Sequence, residues 1–325
     1  FQNMKILLVR LSSMGDLIHT LPAVEDLARQ CPEVELHWLC EAGFADIVRL
    51  HPFVKKVHVM KWRQWRKQFF QAETWREIGR LKTDLQVESF DFVLDSQGLI
   101  KSACFAKMAK SPIYGLDKHS ARESLAAFAY SKTFAVPKGK NAVWRNRELF
   151  AQVFGYTMPE TQVFGLSVPE SGRLKNLQSP YYVALHATSR DSKLWLVEHW
   201  RALLKKLNEE QQCNVYLPWG NKTEKMRAEQ IASDLPFVFV CDKINLLQAA
   251  FLLKNAEGII GVDTGLLHLA NALEKPVVGI YTDTDPAKTG VQVSAYAKNL
   301  GGIAQIPNVD EVYQTLMDCV AAYGK

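Results

Sequence analysis

Gly258-Ile259-Ile260-Gly261-Val262-Asp263-Thr264-Gly265-Leu266-Leu267-His268-Leu269-Ala270-Asn271-Ala272-Leu273 is the stretch that decides the architecture of this 325-residue chain. An apolar run, a tight polar turn and a second apolar run of helical length read as a buried strand leading directly into a helix, the unit of parallel sheets. A helix that starts at the turn leaves N–H groups around Thr264 to Leu267 without intrahelical partners, and Gly265 lets a ligand approach the backbone with no Cβ in the way. The turn is therefore a candidate anion site. His268 stands four residues past Thr264, on the same helix face. The spacing also fits Asp263 as a helix cap and His268 as a core histidine.

The same unit recurs outward from this stretch. Short β-rich runs at Tyr181 to Ala187, Cys213 to Trp219, Phe237 to Cys241 and Pro276 to Tyr281 alternate with helical periods. An earlier series does so at Met4 to Arg10, Val34 to Cys40, Lys56 to Met60 and Phe90 to Asp95. Each half is a predicted βα series. Between them, Phe164 to Pro180 carries Gly165, Pro169, Gly172 and Pro180 without clear periodicity and reads as a linker. With Phe1 to Asn3 set aside, the expectation is two α/β domains, 4–172 and 173–325. Two such sheets would turn their strand ends to a shared crevice, so chemistry is sought just after each strand.

Composition narrows the function. At 48% hydrophobic and 22% charged residues, collagenous, disordered and coiled-coil chains are excluded. The six cysteines show neither a Cys-x-x-Cys pair nor zinc spacing, and they read as buried thiols in a reducing compartment. No apolar stretch reaches about 18 residues, so the protein is expected in the cytoplasm or on the cytosolic face of a membrane. The net charge of +5 divides into +6 over residues 1–165 and −1 over 166–325. Lys55 to Lys82 holds nine basic residues against Glu73 and Glu77, which draws an anionic partner to that half. Nucleic acid, anionic lipid and phosphorylated glycan all fit.

Four further motifs follow or flank strands. Leu11 to His19 is a small-residue loop opening a helix, with Asp16 in its first turn. Asp16 is a candidate general base, although a first-turn aspartate also complements the helix dipole. His186 to Trp195 combines Thr188 and Ser189 with Lys193, a set that could hold phosphate or simply cap the next helix. Asp283-Thr284-Asp285 imitates a metal-binding Asp-x-Asp, but Pro286 follows and no third carboxylate is near in sequence, so it reads as a turn and no metal is expected. Lys61 to Phe70 interleaves cations with Trp62, Trp65 and Phe69. That stripe suits an anionic bilayer or a basic substrate site on one side, and a core-facing stripe with a solvated basic face on the other, equally. Neither Gly-x-Gly-x-x-Gly after the first strand nor a P-loop is present, so simple dinucleotide and nucleoside-triphosphate readings lose their main support.

Taken together, Met4 to Arg10 with Gly15-Asp16, Asp95-Ser96-Gln97-Gly98-Leu99-Ile100-Lys101-Ser102, His186 to Trp195, Pro218-Trp219-Gly220 and Val262 to His268 resemble the lipopolysaccharide heptosyltransferases of glycosyltransferase family 9. The resemblance covers the chain from Met4. It implies a GT-B fold, two Rossmann-like parallel-sheet domains facing a central cleft, with the acceptor on the first and ADP-heptose on the second. It leaves room for the last helix to pack back on the first domain. It further implies inverting, metal-independent transfer of heptose to a Kdo hydroxyl of Kdo-lipid A, with no cofactor and no nucleic acid. Asp16 then matches the general base. Thr188, Ser189 and Lys193 match a pyrophosphate loop, with Ser189 where a second threonine is expected. Glu224 matches a ribose carboxylate, Ile244 a nucleoside contact that a close relative would make with methionine, and Asp263, Thr264, Gly265 and His268 the diphosphate and heptose site. Arg63, Arg66, Lys67 and Arg122 match basic acceptor positions for Kdo carboxylates and lipid A phosphates, which places the enzyme peripherally at the inner membrane. A transferase acting on an already heptosylated core and a nucleotide-sugar epimerase on the same fold are the alternatives.

Overall fold

The computed structural model describes residues 3–325, so Phe1 and Gln2 lie outside it. The first unit ends at Ser167 and the second runs from Val168 to Lys325. In the first, β1 (Lys5–Val9), β2 (Glu35–Glu41), β3 (Val54–Met60), β4 (Phe92–Asp95), β5 (Ile113–Leu116) and β6 (Lys132–Phe134) form a parallel sheet in the order β3-β2-β1-β4-β5-β6. The second unit repeats the pattern with β7 (Tyr181–Leu185), β8 (Asn214–Leu217), β9 (Val238–Val240), β10 (Gly258–Val262), β11 (Val277–Tyr281) and β12 (Ala297–Gly301), ordered β12-β11-β10-β7-β8-β9. Counted within its own half, each sheet is doubly wound and reverses beside its first strand. The switch points are therefore β1/β4 and β7/β10.

Central strands are apolar throughout because helices cover both faces. Ile6, Leu7, Leu8 and Val9 are all fully buried, and so are Ile259, Ile260 and Val262. Each such side chain contributes about 1.5–3 kcal/mol by leaving water. In the second unit the core gathers Trp195, Trp200, Leu203, Leu204 and Leu207 beneath β7, β8 and β10. The last helix, Val309–Ala322, adds Val312, Leu316 and Cys319 to that core.

The expected strands appear, most of them one to three residues shorter than the runs that announce them, while β2 is shifted by one residue and β3 starts two residues earlier. Three others, β5, β6 and β12, have no apolar run to announce them: β5 is four residues with Gly115 inside it, β6 is three, and β12 reads Ala-Lys-Asn-Leu-Gly. The unit boundary lies earlier than residue 172. The Ser167 N–H donates to the Leu50 carbonyl at 2.8 Å, whereas the turn Glu170–Gly172 packs on helix Leu246–Lys254, with Gly172 so near the Leu247 carbonyl that a Cβ would collide with it. No described helix is long and apolar enough to cross a membrane.

Candidate active site

Chemistry gathers at the switch point of each sheet. In the first unit, a cavity of about 440 Å³ opens where the loops after β1 and β4 diverge, and Arg10, Asp16, Gln97, Lys101, Arg122 and Arg145 are among its walls. One carboxylate thus faces four cations. Asp16 sits in helix Met14–Ile18, and its Oδ2 accepts the Ser13 N–H at 3.0 Å and the Ser13 hydroxyl at 3.3 Å. Asp16 thus stands in the first turn, at the third helical position, bonded back to the N-cap Ser13, and its carboxylate is also exposed to the cavity.

The loop carrying Asp16 is tied to the β4 loop. Gln97 Oε1 accepts the Leu11 N–H at 2.7 Å, and Arg10 donates to the Ser96 carbonyl at 2.5 Å. Burial pulls the Arg10 guanidinium below its ordinary value, while Asp16 and Asp95 oppose the shift. Asp95 lies fully buried beneath this loop and accepts hydrogen bonds from Tyr130 at 2.5 Å, Ser102 at 2.9 Å and the Gln97 N–H at 3.0 Å. Its burial raises the carboxyl despite those donors.

In the second unit, Asp263 is the hub. Lys193 approaches its Oδ2 at 3.2 Å, the Thr284 hydroxyl donates to the same oxygen at 3.3 Å, and His268 Nε2 lies 3.8 Å from Oδ1. The Thr188 hydroxyl donates to the Asp263 carbonyl at 2.8 Å. Burial alone would raise this carboxyl, but His268 and Lys193 outweigh it and hold it below the ordinary value. Thr264, not Asp263, occupies the cap position of helix Gly265–Ala272. The Leu267 N–H is spent on the Thr264 carbonyl, so the donors nearest the helix start are those of Gly265 and Leu266. Thr188, Lys193, Asp263, Thr264, Gly265 and His268 thus converge on one helix N-terminus, while Ser189 is exposed in the same loop.

Other expected positions lie apart from these groups. Glu224 closes the start of helix Lys222–Ala232, accepting from the Gly220 N–H and the Asn221 amide, both at 2.9 Å. Ile244 is half-buried just before helix Leu246–Lys254. Of the acceptor-side cations, Arg122 lines the first cavity, whereas Arg63, Arg66 and Lys67 lie on and just after helix Trp62–Trp65, outside its walls. Arg63 instead stacks 4.9 Å over the Phe44 ring. Sequence reasoning assigned no role to Arg10, Lys101 or Arg145. Arg10 directly follows β1 and Lys101 lies in the first turn of the helix after the β4 loop, a signal in the sequence, but Arg145 arrives from helix Ala142–Phe154, remote in sequence. Asp285 caps helix Pro286–Thr289 through the Ala287 N–H, so that motif is a turn. Among the described residues, His37, His58 and Glu88 come close enough to hold a metal ion. There, His37 bridges His58 at 3.0 Å and Glu35 at 2.7 Å, while Lys5 and Lys56 hold Glu88, a positive surround that opposes a cation.

Comparison with known proteins follows the same lines. The model of glycosyltransferase family 9 (heptosyltransferase) matches residues 78–320. Lipopolysaccharide heptosyltransferase 1 of Escherichia coli K12 is 39% identical over 298 residues, covering 91% of this chain and 92% of that protein. Its namesake from Pseudomonas aeruginosa is 40% identical over 289 residues, covering 88% and 81%. The structure of E. coli heptosyltransferase WaaC with ADP aligns with a TM-score of 0.90 at 34% identity, over 97% of this chain and 100% of that one. The two-sheet fold is accordingly GT-B.

Proposed function

Because the chain belongs to glycosyltransferase family 9 and is a lipopolysaccharide heptosyltransferase, we propose that it moves L-glycero-D-manno-heptose from ADP-heptose to a Kdo hydroxyl of Kdo-lipid A, with inversion and without metal or cofactor. The observation that carries the reading is Asp16 exposed in a cavity walled by Arg10, Lys101, Arg122 and Arg145 at the β1/β4 switch point. Cations there suit the carboxylates of Kdo, and the carboxylate among them suits its hydroxyl. An epimerase would need no acceptor site of this kind, and the sequence stretches around Asp95 and His186 favour the first-heptose transferase over one acting on a heptosylated core.

In this mechanism the acceptor oxygen attacks the anomeric carbon of the heptose as its proton passes to Asp16. A new C–O glycosidic bond forms while the bond to the ADP oxygen breaks, and ADP departs with the electron pair from the opposite face. Lys193 and the N–H groups of Gly265 and Leu266 favour the charge gathering on the diphosphate. Asp263 positions Lys193 and His268, and Glu224 and Ile244 serve the nucleoside. Arg63, Arg66 and Lys67 add attraction for lipid A phosphates at an anionic inner-membrane surface, with the enzyme peripheral on its cytosolic face.

Incubation with ADP-heptose and Kdo-lipid A in EDTA should release ADP and give a heptosylated lipid, while donor alone should give neither ADP release nor epimerisation. Asp16→Asn should lower kcat by 10²–10⁴ with little change in ADP affinity. Turnover that collapses in EDTA and returns with a divalent cation would overturn the metal-free step, and an Asp16→Asn enzyme of normal kcat would overturn the base.

A further inference from the structure

Beside the charged cavity of the first unit lies an apolar groove of about 230 Å³, walled by Trp62, Trp65, Phe69, Trp75, Phe105 and Met108. Its walls are aromatic and aliphatic, without a charged side chain. The rings support one another: Trp62 meets Phe69 at 5.8 Å and Phe105 at 6.2 Å, and Phe69 meets Trp75 at 6.2 Å. Trp75 Nε1 donates to the Phe69 carbonyl at 2.7 Å, so this indole offers the groove only its apolar face. Two of its walls stand partly in water, Trp75 58% exposed and Phe69 40%. Ordinary cores do not leave such a set open, and a space below the roughly 300–1,000 Å³ of small-molecule sites suits one thin aliphatic chain.

Helix Ile100–Lys107 joins the two features. Its Lys101 lines the charged cavity, and its Cys104 and Phe105, with Met108 just beyond, line the groove. At 1.5 Å per residue the separation is on the order of 5–10 Å along the helix, within the length of one amphiphile. The charges match such a molecule. Arg66 and Lys67, exposed beside the groove, enter no ion pair among the described residues, and Lys107 is exposed on the far side. An anionic head would meet cations at both the cavity and the groove rim while its tail met aromatic rings.

We propose that this groove holds one acyl chain of the anionic lipid acceptor during transfer, so that the enzyme draws the chain out of the bilayer rather than merely resting on the surface. The inference rests on the acceptor reading above. It makes the acyl chain part of acceptor recognition, and it gives Trp62, Trp75 and Cys104 a role separate from the cations at 63, 66 and 67.

Cys104 is exposed on the groove wall, so Cys104→Phe fills the groove without entering the core. With wild type and variant compared on the intact acceptor and on its fully deacylated form, the KM for the acylated acceptor should rise about tenfold. KM for the deacylated acceptor and for ADP-heptose should stay within twofold, which also reports that the variant is folded. Independently of turnover, an acceptor analogue brominated in mid-chain and held below its aggregation concentration should quench the tryptophan fluorescence of wild type, and Cys104→Phe should abolish that quenching. An unchanged acylated-acceptor KM, or quenching that survives Cys104→Phe, would overturn the groove assignment and leave the chains in the bilayer. Absence of transfer to either acceptor by wild type would instead overturn the acceptor reading, while the quenching still reports on the groove.

Discussion

Lys193 shows how much one side chain holds in place. Its ammonium lies 3.2 Å from Asp263, which directly precedes the cap of helix Gly265–Ala272, so on the proposed donor reading its removal takes away a cation for the diphosphate and leaves Asp263 less compensated. Both effects act in the same direction. Lys193→Ala should weaken ADP binding by about 1.5–3 kcal/mol, the range of a hydrogen bond to a charged group, measured by calorimetry. An unchanged Kd would remove Lys193 from the donor site. At this scale the cluster around Asp263 was legible, because Thr188, Lys193, Asp263 and His268 all stand within eight residues after β7 or β10. The acceptor side was less so. Asp16 could be picked out but not told apart from a first-turn partner of the helix dipole, and in the structure its carboxylate both bonds back to the N-cap Ser13 and faces the cavity. Arg145 could not be found at all, since only the packing of a distant helix brings it to Arg10.

Elements carry the next level of the same problem. A buried parallel strand announces itself by an apolar run, which is why β1 and β10 were readable and the four-residue β5 was not. The aromatic stripe at 62–69 is not one helical face, because the helix ends at Trp65: Trp65 is buried, Trp62 half-buried and Phe69 exposed, and the three meet instead as walls of one groove. The overlooked β5 matters to the site. Gly115 within it leaves room for the Tyr130 ring, which a Cβ would strike, and so lets the hydroxyl reach Asp95. Asp95 in turn holds the Gln97 backbone, and the Gln97 amide holds Leu11. Tyr130→Phe should therefore cost about 1–3 kcal/mol in denaturant unfolding, because a buried carboxylate loses a donor. It should also lower kcat/KM while leaving ADP affinity unchanged. A variant as stable and as active as wild type would disconnect Tyr130 from the Asp16 loop.

Across the whole molecule, burial of ionisable groups sets the response to acid. His51 and His58 in the first unit and His186 in the second are each pushed down to about 4, chiefly by desolvation. An unfolded histidine titrates near 6.5, so between pH 6.5 and 4 the unfolded chain binds more protons than the folded one, and stability falls as pH falls through that window. Above 6.5 the contribution is intact, and below 4 it is fully lost. At 1.36 kcal/mol per pKa unit, each histidine accounts for on the order of 3 kcal/mol. Glu35 works in a lower window. Hydrogen bonds from Lys55 and His37 hold it at about 2, so its contribution is complete above its ordinary 4.5 and disappears only as pH drops toward 2. Thermal unfolding followed from pH 8 to 4 should accordingly show a plateau to about 6.5 and then a steady fall in Tm. Repulsion among the cations of a chain already at +5 would produce a similar fall, and salt separates the two causes. Exposed charges are screened over about 8 Å at physiological ionic strength, whereas the buried imidazoles are shielded from mobile ions. The fall between pH 6.5 and 4 should therefore persist when salt is raised. A slope that vanishes in salt would place its origin in the surface charge of the first unit instead of in the three histidines.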